Sequence, residues 1–249
     1  MKKALIVAGG WQGHDPEGVS KLFSEILREE NYECDISFTL DAYADRDKIK
    51  TYDLIIPHWT IGHLNPDQLE GVLDAVASGV GIAGCHAGLA DAFHNNPDWH
   101  WMAGAQLVSH PGGTKVKYTV NIHKNSSAIT EGIDDFTVES EFYYLHVDPC
   151  VNLLATVNYP MGEGPFETDD HVIITRDKPG FEQGDWYLKD EYQKHNPHYG
   201  NTPTHMPAIY TKSFGKGKVF YCALGHNSEM LSKEPLKTIM RRGFLWASR

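Results

Sequence analysis

Residues 54–88 read LIIPHWTIGHLNPDQLEGVLDAVASGVGIAGCHAG, and this stretch decides the fold. Leu54-Ile55-Ile56 is a continuous apolar run, the pattern of a strand buried on both faces. Asn65-Pro66 opens a helix on which Leu69, Val72, Leu73 and Val76 share one face. Val80 to Ala83 is a second apolar run, passing directly into Gly84-Cys85-His86-Ala87-Gly88. Strand, helix and strand in this order make a parallel pair joined by a right-handed crossover.

The same rhythm holds upstream. Leu5-Ile6-Val7-Ala8 is a buried strand ended by Gly9-Gly10, and a helix follows in which Asp15 caps, Pro16 occupies the first turn and Val19, Leu22, Phe23, Ile26 and Leu27 recur at helical spacing. Tyr32 to Leu40 is predicted as a strand and Asp45 to Lys50 as a short helix. After Asn95 the pattern turns β-rich: Lys115 to His123, Val138 to Val147, Leu153 to Tyr159 and Val172 to Thr175 read as strands with few helices between them. Residues 177–206, broken by Pro179, Pro197 and Pro203, read as a long insertion loop. A hairpin follows, Ala208 to Phe214 and Val219 to Leu224 about a Gly-Lys-Gly turn, and a closing helix carries Leu236, Ile239, Met240 and Phe244. The expected fold is α/β: a mostly parallel sheet with helices on both faces and a β-rich second half, one domain over residues 1–249.

With 33 acidic against 22 basic residues the formal net charge is -11, a field that repels phosphate backbones and anionic head groups, so neither nucleic acid nor a membrane surface is expected as a partner. No stretch approaches the ~20 apolar residues of a spanning helix. Met1-Lys2-Lys3 begins like a signal segment, but the apolar run stops at Gly9-Gly10 with no cleavage pattern, so a cytoplasmic protein is expected. Cys34, Cys85, Cys150 and Cys222 are far apart, which suits reduced thiols and neither a zinc knuckle nor a redox pair.

The 14 histidines are the unusual feature. Ligands of open α/β sheets bind beyond the carboxyl ends of the strands. His14 follows the first strand, His58 the third, His86 the fourth and His226 the last, so the topology brings all four to one rim. The Gly84 to Gly88 turn exposes its central side chain, His86, above the sheet; Cys85 lies one position early and by alternation points into packing. We therefore expect a divalent metal site, zinc foremost, anchored by His86 with ligands drawn from His14, His58, His110, His146 and His226. A metal-free imidazole acting as acid or base is the alternative. Trp11, Trp59, Trp99 and Trp101 could stack on a sugar or simply pack. Glu139 and Glu141, two apart on one predicted strand, share a face.

Gly9-Gly10-Trp11-Gln12-Gly13-His14, Gly84-Cys85-His86-Ala87-Gly88, Ser109-His110-Pro111, Glu139-Ser140-Glu141-Phe142-Tyr143 and the ending from Tyr210 to His226 together resemble the ThuA-like family, named for trehalose utilisation, within the class I glutamine amidotransferase-like superfamily. The resemblance implies a flavodoxin-like sheet and a part in sugar catabolism. It does not imply a glutaminase, which needs an apex cysteine and a downstream His-x-Glu pair; here the apex is His86, and His226-Asn227-Ser228-Glu229 is one residue too wide. It favours Glu141 over Glu139 as the carboxylate partner. The expected site then has His86, Glu141 and His226 as catalytic groups, Trp11, His14, Trp59 and His110 against a sugar or keto-sugar ligand, and His14, His58, His86, His146 and His226 toward a metal. A non-catalytic sugar-binding module and a degenerate amidotransferase using Cys85 are the competing readings, and a homo-oligomer is left open.

Overall fold

Apolar runs that alternation cannot explain become the centre of a parallel sheet. The computed structural model describes residues 1–110, 115–124, 126–159, 172–173, 187–188 and 204–249. In chain order the elements are β1 (Lys2–Gly10), α1 (Pro16–Glu29), β2 (Tyr32–Ser37), α2 (Arg46–Ile49), β3 (Leu54–Thr60), α3 (Pro66–Ser78), β4 (Gly81–Cys85), α4 (Ala87–Ala90), α5 (Pro97–Ala103), β5 (Ala105–Ser109), β6 (Val116–Ile122), β7 (Phe136–Ser140), β8 (Tyr144–Val147), β9 (Asn152–Tyr159), β10 (Val172–Ile173), β11 (Tyr187–Leu188), β12 (Thr204–Phe214), β13 (Gly217–Cys222), α6 (Ser228–Leu231) and α7 (Leu236–Ala247).

The main sheet runs β2-β1-β3-β4-β13-β12-β9-β6-β7. Its first five strands are parallel and the remainder antiparallel, so strands from both halves of the chain share one sheet. The parallel part has the flavodoxin-like order, whose switch point lies between the first and third strands. Two small antiparallel pairs, β5 with β8 and β10 with β11, stand apart from it.

Every residue of β3 and β4 is buried, because helices cover both faces there. Helix α1 buries Val19, Phe23, Ile26 and Leu27, and Phe23 meets Phe244 of α7 edge-to-face at 4.9 Å. Burial of each such aromatic contributes roughly 1.5–3 kcal/mol. Asp15 caps α1 by accepting from Gly18 N–H, and Asn65 and Gln68 form a reciprocal capping box on α3. Gly10, at φ +80°, lets the ends of β1 and β3 close on each other: a β-carbon there would lie 2.0 Å from the Thr60 carbonyl oxygen. None of the described helices is long and apolar enough to cross a membrane.

Several expectations need correction. The second strand ends at Ser37, and Leu40–Tyr43 is a 3-10 turn capped by Thr39. The predicted strand Val138 to Val147 is two, β7 and β8, interrupted at Glu141-Phe142-Tyr143. Helix α5 and strand β5 occupy residues 97–109, to which the pattern after Asn95 assigned no element; Asn96 caps α5 ahead of Pro97, the same signal that opens α3. Within residues 177–206, Tyr187–Leu188 pairs with Val172–Ile173 and β12 begins at Thr204; the rest of the predicted insertion loop lies outside the described residues.

Candidate metal centre

The turn after β4 is built around a strained histidine. His86 has φ 50° and ψ -133°, a conformation that costs a β-carbon-bearing residue roughly 1–3 kcal/mol. Its N–H donates to the Cys222 carbonyl at 2.7 Å and its own carbonyl accepts from Tyr221 Oη at 3.1 Å, so the neighbouring strand clamps the backbone. Gly84 and Gly88 make room: a β-carbon on Gly88 would stand 2.8 Å from the Pro57 oxygen, and one on Gly84 would stand 2.9 Å from Leu89.

Three other segments bring polar groups to this ring. The 3-10 turn Gln12–His14 after β1 buries His14, whose Nδ1 lies 2.8 Å from Thr60 Oγ1 at the end of β3. In the tautomer where Nδ1–H donates to Thr60, the Nε2 lone pair faces the cluster. His226 follows β13, and its loop is fixed by Asp15, whose carboxylate accepts from Ser228 Oγ and, at 3.4 Å, from Ser228 N–H. Glu141 occupies the bend between β7 and β8, where Tyr118 Oη donates to its carbonyl at 2.8 Å. Its Oε2 lies 3.2 Å from His86 Nε2, 3.5 Å from His226 Nδ1 and 3.8 Å from His14 Nε2. One ligand atom from each of His14, His86, Glu141 and His226 falls within 4.8 Å of the others.

Burial holds the His14 and His86 imidazoles below their ordinary pKa. Burial also opposes ionisation of Glu141, but the contacts from His14 and His226 and the charges of His110 and His86 outweigh it and hold the carboxyl well below its usual range. His14 Nε2, both nitrogens of His86 and His226 Nδ1 have no hydrogen-bond partner among the described residues. A buried lone pair left in that state is costly, and a divalent cation would accept one from each of the three rings together with a carboxylate oxygen of Glu141.

Other candidates fall elsewhere. His58 donates from Nε2 to the His14 carbonyl at 3.0 Å, and burial lowers its pKa to about 4, so it supports the His14 turn from behind rather than joining the cluster. His146 is exposed on β8 opposite Gln106, outside the cluster. His110 is buried beside it, its ring stacked on Tyr143 at 6.3 Å. Trp11 stands edge-on to His14 at 4.8 Å and is partly exposed. Trp59 packs in the core over Gly9 and Gly62, Trp99 is fully buried with Nε1 donating to the Leu89 carbonyl, and Trp101 is exposed on α5. Glu139 is exposed and does not share the setting of Glu141, because the strand ends between them. Thr60, Tyr118 and Ser228, which help to orient the cluster, carry no signal in the sequence, and Asp15 reads there only as the cap of α1; the strand order places them beside the cluster.

Cys85 is fully buried in the core, and burial together with neighbouring Cys222 raises its thiol well above the ordinary pKa. It is a packed thiol, not a thiolate. Cys85→Ser is expected to leave metal affinity within several-fold of the parent and to cost ~1–3 kcal/mol of stability from burying a hydroxyl, read by elemental analysis and urea unfolding. A thousandfold loss of function with the fold intact would show a nucleophile instead.

A cavity of about 540 Å³ opens beside His226 and runs along β7 toward α6 and α7. His226, with 22% of its side chain exposed, is the cluster member that reaches it.

Comparison with known families and structures accords with this architecture. The ThuA family profile, described as trehalose utilisation, matches residues 3–247. Among solved structures, a ThuA-like protein from Bacteroides uniformis superposes with a TM-score of 0.71 at 17% identity, covering 99% of this chain and 91% of that one. A ThuA-like protein from Parabacteroides merdae gives 0.66 at 14% identity, covering 99% and 89%. A cytoplasmic protein from Salmonella typhimurium LT2 gives 0.62 at 14% identity, covering 99% and 100%. Comparison by sequence with curated proteins yields no match.

Proposed function

The chain belongs to the ThuA family of trehalose utilisation, and from that premise we propose that it is a cytoplasmic enzyme of sugar catabolism acting on a sugar or keto-sugar at a divalent metal centre formed by His14, His86, Glu141 and His226. The observation that supports this reading is the convergence of those four side chains from four separate strand ends, with imidazole nitrogens left unsatisfied around one carboxylate. Imidazole and carboxylate ligands suit zinc among the divalent ions. When bound, such an ion would polarise a carbonyl or hydroxyl oxygen of the substrate, the chemistry of a hydrolase, lyase or isomerase.

The protein's own groups divide the remaining work. The strained turn fixes His86, Thr60 fixes His14, and Tyr118 fixes the backbone of Glu141, so the centre is held rigidly before any ligand arrives. His226, at the cavity, is the member of the centre placed nearest an arriving substrate. Trp11 supplies an apolar wall beside His14. A glutaminase reading is disfavoured, because the buried Cys85 thiol cannot serve as its nucleophile.

Protein purified without added metal is expected to carry a stoichiometric divalent ion by elemental analysis, lost on chelation and restored by zinc. Metal-free protein that cannot be loaded, yet still binds sugar, would overturn the enzyme reading in favour of a binding module.

A further inference from the structure

We propose that Asp15 is a positioning residue for the metal centre: its carboxylate spans the two loops that carry His14 and His226, and its bond to Ser228 decides whether His226 stands as the fourth ligand. This rests on the reading of His14, His86, Glu141 and His226 as one divalent site.

The four side chains are not held alike. His86 is locked by the backbone bonds of its turn, His14 by Thr60 at Nδ1, and Glu141 by the bend whose carbonyl Tyr118 holds. Those three side chains are no more than 4% exposed, against 22% for His226. His226 follows Gly225, which turns the chain at φ +119°, so the place of its ring depends on what anchors the loop beyond. Ser228 is that anchor. Its hydroxyl and, at 3.4 Å, its N–H both donate to Asp15 Oδ2. Asp15 in turn adjoins His14, and its N–H closes the 3-10 turn by donating to the Gln12 carbonyl at 3.0 Å. One carboxylate thus joins segments 213 residues apart in sequence, each bearing a ligand. His14, His86 and Glu141 become the permanent ligands, and His226 the one that the Asp15–Ser228 contact adds.

Helix capping alone does not call for this arrangement. The cap uses Oδ1, which accepts from Gly18 N–H at 3.1 Å, and leaves Oδ2 for Ser228. Oδ2 lies where a side chain at position 18 would begin, since a β-carbon on Gly18 would stand 2.2 Å from it. Gly18 therefore lets the carboxylate face Ser228, at a helical position where glycine is otherwise a poor choice. Asp15 itself sits at φ 50° in the left-handed region, which asparagine also tolerates. An amide, however, has one acceptor oxygen where a carboxylate has two. Asp15→Asn with its oxygen on Gly18 keeps the cap and sets a donor against Ser228 N–H.

Zinc affinity by chelator competition and the visible spectrum of the cobalt-loaded protein test this. Asp15→Asn, Ser228→Ala and Gly18→Ala are each expected to weaken zinc by ~10–100-fold, the scale of residues that orient metal ligands, and to shift the cobalt bands as water replaces an imidazole. Gly18→Ala raises helix propensity, so its loss of metal is separable from loss of fold. In the His226→Ala background, Asp15→Asn is expected to change zinc affinity by less than ~2-fold, because its effect runs through His226. An effect that persists undiminished in that background would assign it to the charge of Asp15 or to α1 and overturn the proposal. Parent-like zinc affinity and cobalt bands in both Asp15→Asn and Ser228→Ala would overturn it too. A parent protein that takes up neither metal would instead overturn the reading of the cluster as a metal centre.

Discussion

His86→Ala is expected to lower affinity for zinc by more than about a hundredfold, since residues that merely orient metal ligands already account for roughly 10–100-fold, and to do so without unfolding the protein. The ring is buried, both its nitrogens lack hydrogen-bond partners among the described residues, and Glu141 approaches at 3.2 Å. Removing it deletes one ligand of four and leaves Glu141 less well shielded among His14 and His226. The metal-free fold loses little that stabilised it, because an unsatisfied polar ring is a burden in the absence of its ligand. The backbone conformation is equally strained for alanine, so His86→Gly is the companion variant: it too loses metal, and it relaxes the turn by ~1 kcal/mol or more. Zinc retained at full occupancy in either variant, by elemental analysis of the dialysed protein, would remove His86 from the centre. A collapse of the metal-free thermal midpoint in His86→Ala would instead mark the residue as structural.

What could be read from residues alone divides along physical lines. Strands β1, β3 and β4 announce themselves because burial on both faces forces continuous apolar runs, and the helices between them because their caps and spacing are local. That much places His14, His58, His86 and His226 at one rim. Which rings turn inward is decided by contacts that sequence does not carry. His58 and His14 both read in sequence as following a strand, yet His58 lies within β3 opposite Ala8 and spends its ring on the His14 carbonyl, while His14 lies beyond the end of β1, where Thr60 holds its ring toward Glu141. Glu139 and Glu141 appeared equivalent on an unbroken strand. The break at Glu141-Phe142-Tyr143 buries one carboxylate and leaves the other exposed, with neither glycine nor proline to signal it. Strand β5 was hidden because it is short and its pattern lies beside residues that read as loop.

Gly88→Ala is expected to destabilise the fold by ~1–3 kcal/mol, the usual scale for forcing a methyl group into a packed interior, and to weaken metal binding at least ~10-fold through the geometry of the turn. A β-carbon at Gly88 would lie 2.8 Å from the Pro57 carbonyl oxygen and 2.9 Å from His58 Cα. Both are backbone atoms of β3, so no side-chain rotation relieves the contact. Either α4 lifts from the sheet or the end of β3 moves. If α4 lifts, His86 moves with it, since His86 is the residue from which α4 starts. If β3 shifts, Thr60 moves and the His14 ring loses the hydroxyl that orients it at 2.8 Å. Each route separates cluster members whose ligand atoms now lie within 4.8 Å of one another. The two effects can be told apart, because urea unfolding of metal-free protein reports the packing cost and zinc titration of the folded protein reports the displaced ligands. Unchanged stability would mean that the turn is looser than its contacts indicate. Lost stability with full zinc affinity would mean that the cluster is positioned independently of α4, and that the small residues flanking His86 serve packing alone.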